Sequence, residues 1–162
     1  MSGKKPLWRG ASVAPADPLS PEGRALIAAS QAALEEVYPP DECFSFSPEE
    51  LAARETHFYI AQRDGQAVGC VAAADAVDGY TEIKRLFLRP DARGAGLANA
   101  LMARLEADAR ARGIIWARLE TGPALRAAVA LYHKRGYTPC AAFGGYPDIA
   151  SNLFMEKRLL PG

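Results

Sequence analysis

The sequence predicts an α/β chain of the α+β kind: a mixed, mostly antiparallel central sheet with helices on both faces. Three observations carry this. Two apolar runs, His57 to Gln62 and Ala67 to Ala74, flank Asp64-Gly65, a pair that accepts the positive φ angles of a two-residue hairpin turn. From Glu82 to Gly136, strand and helix patterns alternate, as in a parallel crossover. Finally, Thr138 to Phe143 and Asn152 to Leu159 read as a closing pair of strands joined by Gly144-Gly145-Tyr146-Pro147-Asp148.

The remaining elements follow in order. Trp8 to Val13 is a first strand, weakened by Gly10. Ser20 caps and Pro21 opens a helix carrying Leu26, Ile27, Leu34 and Val37, which ends before Pro39-Pro40. Ser47-Pro48-Glu49-Glu50 is a capping box for a shorter helix. Glu82 to Leu88 is a strand, and Leu97 to Arg112 a helix with Leu97, Leu101, Met102, Leu105 and Ala109 on one face, stopped by Gly113. Ile114 to Thr121 is the next strand. Pro123 then starts a helix with Leu125, Ala128, Val129 and Tyr132 on one stripe, ended by Gly136. No repeat or linker divides the 162 residues, so a single domain spanning 1–162 is expected.

Lys plus Arg and Asp plus Glu both number 19, and neither sign forms a long run, so no broad field invites nucleic acid or an anionic membrane. With no apolar stretch of about 18 residues and a polar start at Met1-Ser2-Gly3-Lys4-Lys5, a cytoplasmic protein is expected. Cys43, Cys70 and Cys140 form no C-x-x-C pair, and His57 and His133 lack metal-ligand spacing with them. The expectation is three buried thiols and no metal.

The most informative stretch is Leu86-Phe87-Leu88-Arg89-Pro90-Asp91-Ala92-Arg93-Gly94-Ala95-Gly96-Leu97-Ala98. A strand, a tight Arg-Gly-Ala-Gly turn and a helix N-terminus would converge several unpaired N–H groups on one point, an anion site. Two glycines let the main chain come close to a phosphate, and Arg93 adds positive charge, so a diphosphate ligand is expected. A Rossmann fingerprint is a poor match, because Asn99 stands where the third glycine belongs; the P-loop pattern is absent.

Arg93-x-x-Gly96-x-Ala98, preceded by Glu82 to Leu88 and Pro90, resembles the Arg/Gln-x-x-Gly-x-Gly/Ala motif of the GNAT superfamily of acyl-CoA-dependent N-acyltransferases. Downstream, Leu119-Glu120-Thr121-Gly122 and Ala128-Val129-Ala130-Leu131-Tyr132-His133-Lys134-Arg135-Gly136-Tyr137 resemble the family's later strand and its Leu-Tyr-x-x-x-Gly-Tyr/Phe helix end. The resemblance implies a splayed parallel strand pair and acetyl-CoA as co-substrate. It further implies a pyrophosphate held by the main chain of Arg93, Gly94, Ala95, Gly96, Leu97 and Ala98, and a pantetheine arm along Leu86, Phe87 and Leu88. An N–H near Leu86 would stabilise the oxyanion of the tetrahedral intermediate.

An alkyl ammonium is neutral only about once in several thousand molecules at pH 7, so a base is useful. Glu82 matches the strand position of the general base in some family members, but it shares a face with Lys84 and equally fits an ion pair. By pattern alone Tyr132 is a core aromatic. By resemblance it is the tyrosine whose hydroxyl protonates or hydrogen-bonds the departing thiolate. Leu125-Arg126-Ala127 lacks the asparagine that family members often carry near this helix start.

The resemblance also implies that the first helix and the Tyr38-Pro39-Pro40-Asp41 and Phe143 to Asp148 loops wall the acceptor end, with Tyr146 and Asp148 forming either an amine pocket or a surface turn. Lys84 and Arg85 alternate along the strand, so only one should face the cleft. A cation there would suit an acceptor carrying a carboxylate, and two solvated edge charges is the plainer reading. The expected partner is a small-molecule amine, with a homodimer left open. The expected reaction is acetyl transfer to a primary amine of a small metabolite or amino-acid-like acceptor. A non-catalytic acyl-CoA sensor, a protein-lysine or N-terminal acetyltransferase and a nucleotide-binding module are its rivals.

Overall fold

The structure, a computed structural model, describes residues 10–43, 46–53 and 55–161. One sheet contains β1 (Ala11–Pro15), β2 (Thr56–Arg63), β3 (Gln66–Asp75), β4 (Tyr80–Leu88), β5 (Trp116–Thr121), β6 (Thr138–Pro139) and β7 (Leu153–Arg158). Their spatial order is β1-β2-β3-β4-β5-β7-β6; β4 and β5 pair parallel and the other neighbours antiparallel. The helices are α1 (Pro21–Glu35), α2 (Pro48–Ala53), α3 (Leu97–Ala111) and α4 (Arg126–Lys134). No helix among the described residues is long and apolar enough to cross a membrane.

Local signals set most boundaries. Asp64 and Gly65 adopt φ of 51° and 79°, the paired positive angles that join β2 to β3. The Ser20 hydroxyl accepts from Gly23 N at 3.1 Å. At α2, Glu50 N donates to Ser47 Oγ at 3.1 Å while Ser47 N donates to the Glu50 carboxylate at 3.2 Å, a reciprocal capping box.

The two sheet faces carry separate cores. α1 and α2 bury Leu26, Ile27 and Leu51 against Phe58, Ile60, Cys70 and Ala72. On the other face α3 buries Leu101, Met102, Leu105 and Ala109 against Tyr59, Val71, Ile83, Leu119 and Met155. Each such Leu contributes about 1.5–3 kcal/mol of burial. Glu106 of α3 is also fully buried, against the pattern of that face. It accepts from Arg135 on two oxygens (2.8 and 3.2 Å), from Lys157 (2.8 Å) and from the Tyr137 hydroxyl (2.9 Å). Burial alone would raise its pKa, but the hydrogen bonds from Arg135 and Lys157 win and hold it below the ordinary carboxylate range.

Four expectations need correction. β1 begins at Ala11, and Trp8 lies outside the described residues. α4 begins at Arg126 rather than Pro123, because Pro123 occupies a turn closed by Leu125 N to Gly122 O at 3.0 Å. β6 keeps two residues; Pro139 lacks an N–H for the ladder, and Gly144 and Gly145 turn the chain at φ of 66° and 76°. Of the three free thiols only Cys70 is buried, with Cys43 and Cys140 partly exposed.

Between β4 and β5, paired positions run from Tyr80 and Trp116 to Ile83 and Leu119 and then stop. Both strands continue, β4 to Leu88 and β5 to Thr121. The sheet therefore parts at this point, where the next residues are Lys84 and Glu120.

Candidate active site

A cleft of about 500 Å³ opens where β4 and β5 separate. β4 supplies Ile83 to Leu88, the turn after it and the start of α3 supply Arg93, Gly94 and Ala98, and α1 with the segment after it supplies Ser30, Leu34, Tyr38 and Glu42. Thr121, Gly122 and α4 residues including Ala128, Leu131 and Tyr132 form the facing wall. Of the stripe predicted for α4 only Tyr132 is buried, so much of the helix's apolar side is cleft lining rather than closed core. The Tyr38 hydroxyl accepts from Ala124 N at 3.0 Å across the opening, and its ring lies where a Cβ on Gly122 would sit.

At the turn after β4, Gly94 and Gly96 hold φ of 84° and 81° with open space on their side-chain side. The backbone N–H groups from Gly94 through Asn99 find no acceptor among the described residues; the first bond of α3 runs from Ala100 N to Gly96 O. They form a concave set of donors at a helix N-terminus, with Arg93 beside them.

Within β4 the register against β3 jumps: Ala72 faces Lys84 and Cys70 faces Phe87, so Arg85 and Leu86 together oppose Val71. Arg85 takes φ of 58° to make this bulge. Alternation is broken, and Lys84 and Arg85 both reach the cleft, correcting the expectation that only one of them faces it. Leu86 and Leu88 return to the α3 core and Phe87 to the α1 core.

The predicted site residues fall into two groups. Tyr132 lies on the cleft wall, its ring edge-on to Tyr137 at 5.9 Å. No described residue hydrogen-bonds its hydroxyl, and burial, helped by the charge of Glu120, pushes its pKa above the ordinary phenol range. Glu82 is held off the cleft: its carboxylate takes Lys84 Nζ at 2.9 Å and accepts the Tyr146 hydroxyl. The Lys84 ammonium also sits 4.3 Å from the centre of the Tyr146 ring, so Tyr146 packs over this pair, and Asp148 is exposed.

The sequence reading passed over Glu120. It follows buried Leu119 on β5, so it projects to the opposite face, beside Lys84, and lines the cleft. Burial pushes its pKa up, Lys84 opposes and Glu82 adds, for a result of about 7. The available signal was a lone carboxylate in the quoted Leu119 to Gly122 segment, at a parity that puts it on the Glu82 and Lys84 face. A carboxyl group that titrates near neutrality, in a cleft with a buried phenol and a donor-rich turn, is equipped for proton transfer beside an anchored anion.

A model of the acetyltransferase (GNAT) family matches residues 24–137. The chain is 39% identical over 127 residues to the IAA acetyltransferase of Azospirillum brasilense, covering 78% of this chain and 83% of that protein. Among solved structures, a chain from Klebsiella pneumoniae subsp. pneumoniae MGH 78578, provisionally named an acyl-CoA N-acyltransferase, is 34% identical. It superposes with a TM-score of 0.79, with 93% of this chain and 98% of that chain covered. The PaiA N-acetyltransferase of Thermoplasma acidophilum, solved in complex with coenzyme A, shares the fold at 19% identity and a TM-score of 0.70, covering 91% and 99%. The match spans the bulged strand, the glycine turn and the tyrosine helix alike, and the chain belongs to the GNAT family of acetyltransferases.

Proposed function

We propose that the protein transfers the acetyl group of acetyl-CoA to the primary amine of a small, amino-acid-like acceptor, by direct attack within a ternary complex. One observation carries the reading: the unpaired N–H run from Gly94 to Asn99 opens onto the same cleft as Glu120 and Tyr132. The donors, the two glycines without Cβ and Arg93 suit a pyrophosphate, and the splayed edge at Leu86 to Leu88 suits the amides of a pantetheine arm.

Bound acetyl-CoA supplies the acetyl group as an activated thioester. Glu120, ionised above about pH 7, accepts the proton of the incoming ammonium, directly or through a water. This assigns to Glu120 the base role considered for Glu82, whose carboxylate is engaged by Lys84 and Tyr146. Tyr132 keeps its proton at neutral pH and offers it to the sulfur as charge develops there. The N–H of Leu86 would polarise the carbonyl.

An amine panel with detection of released CoA thiol tests the reaction. Turnover with small amines is expected, whereas acetyl-CoA binding without thiol release from any amine would leave a sensor. Tyr132→Phe is expected to lower kcat by roughly ten- to a thousandfold with acetyl-CoA affinity nearly kept, read by steady-state kinetics and titration calorimetry. Gly96→Val forces a β-branched residue to φ of 81° inside the turn, and acetyl-CoA Kd is expected to rise at least about tenfold. Gly113→Val, which forces the same residue to the same φ of 81° but remote from the cleft, is expected to leave that affinity unchanged.

A further inference from the structure

We infer that the acceptor carries a carboxylate as well as its amine, and that Arg85 binds this carboxylate on the α1 side of the cleft. The inference deepens the reaction proposed above and rests on it. Arg85 is aimed by the β4 bulge at φ of 58°, a conformation that costs a non-glycine residue about 1 kcal/mol or more and that marks a position held in place by its surroundings. Its guanidinium, partly buried, is fixed by neutral acceptors: Nε donates to Phe46 O at 3.0 Å and Nη1 to Ser30 Oγ at 3.3 Å. No carboxylate among the described residues lies within 4.0 Å of it, whereas Arg104, Arg112, Arg118 and Arg135 each have one. Glu35, Glu50 and the thiols of Cys43 and Cys70 act on it only at longer range, and burial, the largest influence, lowers its pKa.

A cation drawn out of water without a counter-ion is a standing electrostatic cost, and the cleft is where a counter-ion can arrive. The two bonds to protein leave one N–H of Nη1 and both of Nη2, and a guanidinium meets a carboxylate with parallel N–H groups from two of its nitrogens. Lys84 does not compete, because Glu82 neutralises it at 2.9 Å. Where β4 and β5 last pair with each other, at Ile83 and Leu119, Glu120 is the next residue on β5 and Arg85 the second on β4. The cleft therefore offers a cation for an acid group and a titratable carboxyl for an ammonium. A polycationic amine would meet Arg85 unfavourably.

Matched acceptors decide the question: one set of amino acids assayed against their carboxamides, with Arg85→Met and Arg85→Lys beside the wild type. The wild type is expected to favour each acid over its amide by about 100-fold in kcat/KM, mostly through KM. Arg85→Met is expected to erase that preference by raising KM for the acid about 100-fold, with kcat and acetyl-CoA affinity changed severalfold at most. Arg85→Lys restores part of it. Thermal melts and acetyl-CoA titration establish that the variants are folded; should they fail to fold, the wild-type acid-to-amide ratio alone decides. Equal turnover of acids and amides, or better turnover of amides or polyamines, overturns the carboxylate site and leaves the acetyl transfer standing. Absence of thiol release with any amine overturns both.

Discussion

Glu120→Gln is expected to cut kcat by about a hundredfold or more while making the protein more stable above neutral pH. The catalytic part follows from geometry: Glu120 is the cleft-lining carboxyl group next to the point where β4 and β5 part, and general bases are typically worth about 10²–10⁴. The wild-type kcat should rise with pH and level off above about 7, and the variant should lose that inflection. The stability part has the opposite sign. Because the folded state raises the pKa of Glu120 from 4.5 to about 7, the fold prefers the protonated form. That preference is fully present below about pH 4.5 and is lost as pH rises through about 7. Glutamine has no charge to bury and keeps it. The two proteins should therefore melt alike near pH 4, with the variant ahead at pH 8 by on the order of 2–3 kcal/mol. Thermal melts at both pH values and a pH–rate profile check the two halves separately. An unchanged inflection in kcat would send the search for the base back to Glu82.

What the sequence disclosed and what it hid divide along range of interaction. Asp64-Gly65, the Ser47 to Glu50 box and the Gly94 to Gly96 turn were readable because a few neighbouring residues fix each backbone conformation. The bulge at Arg85 was not readable. No glycine or proline marks it, and the extra residue appears only when β4 is laid against β3. Its consequence is large, since a strict period of two would have sent Arg85 and Lys84 to opposite faces. Glu120 shows the same limit: alternation with Leu119 gives its face, but the cleft and its burial exist only because the parallel pairing stops at Ile83. On α4 the predicted stripe was correct in composition, yet a stripe does not say whether its cover is protein or ligand.

Glu106→Ala is expected to cost about 3–5 kcal/mol, the range for removing one partner of a buried ion pair, and to lower Tm by roughly 6–20 °C for a chain of this size. The reason is what stays behind. Arg135 and Lys157, with side chains 15% and 19% exposed, would face each other without the anion between them, and the Tyr137 hydroxyl would lose its acceptor. Acid should shrink the difference. The folded state holds the Glu106 pKa below 4.5, so its contribution is present above that value and is lost as pH falls through the folded pKa. The wild type alone carries that loss, and the two melting curves should converge as pH falls through the lowered folded-state pKa. A triple variant, Glu106→Leu with Arg135→Met and Lys157→Met, separates the worth of the ion cluster from the cost of orphaning its cations. Near-wild-type melting of the triple variant would mean that the cluster fixes how α3, the end of α4 and β7 meet rather than adding net stability. Because α3 begins at the donor-rich turn and Arg135 caps the helix that carries Tyr132, acetyl-CoA affinity of the triple variant should fall even if its Tm does not.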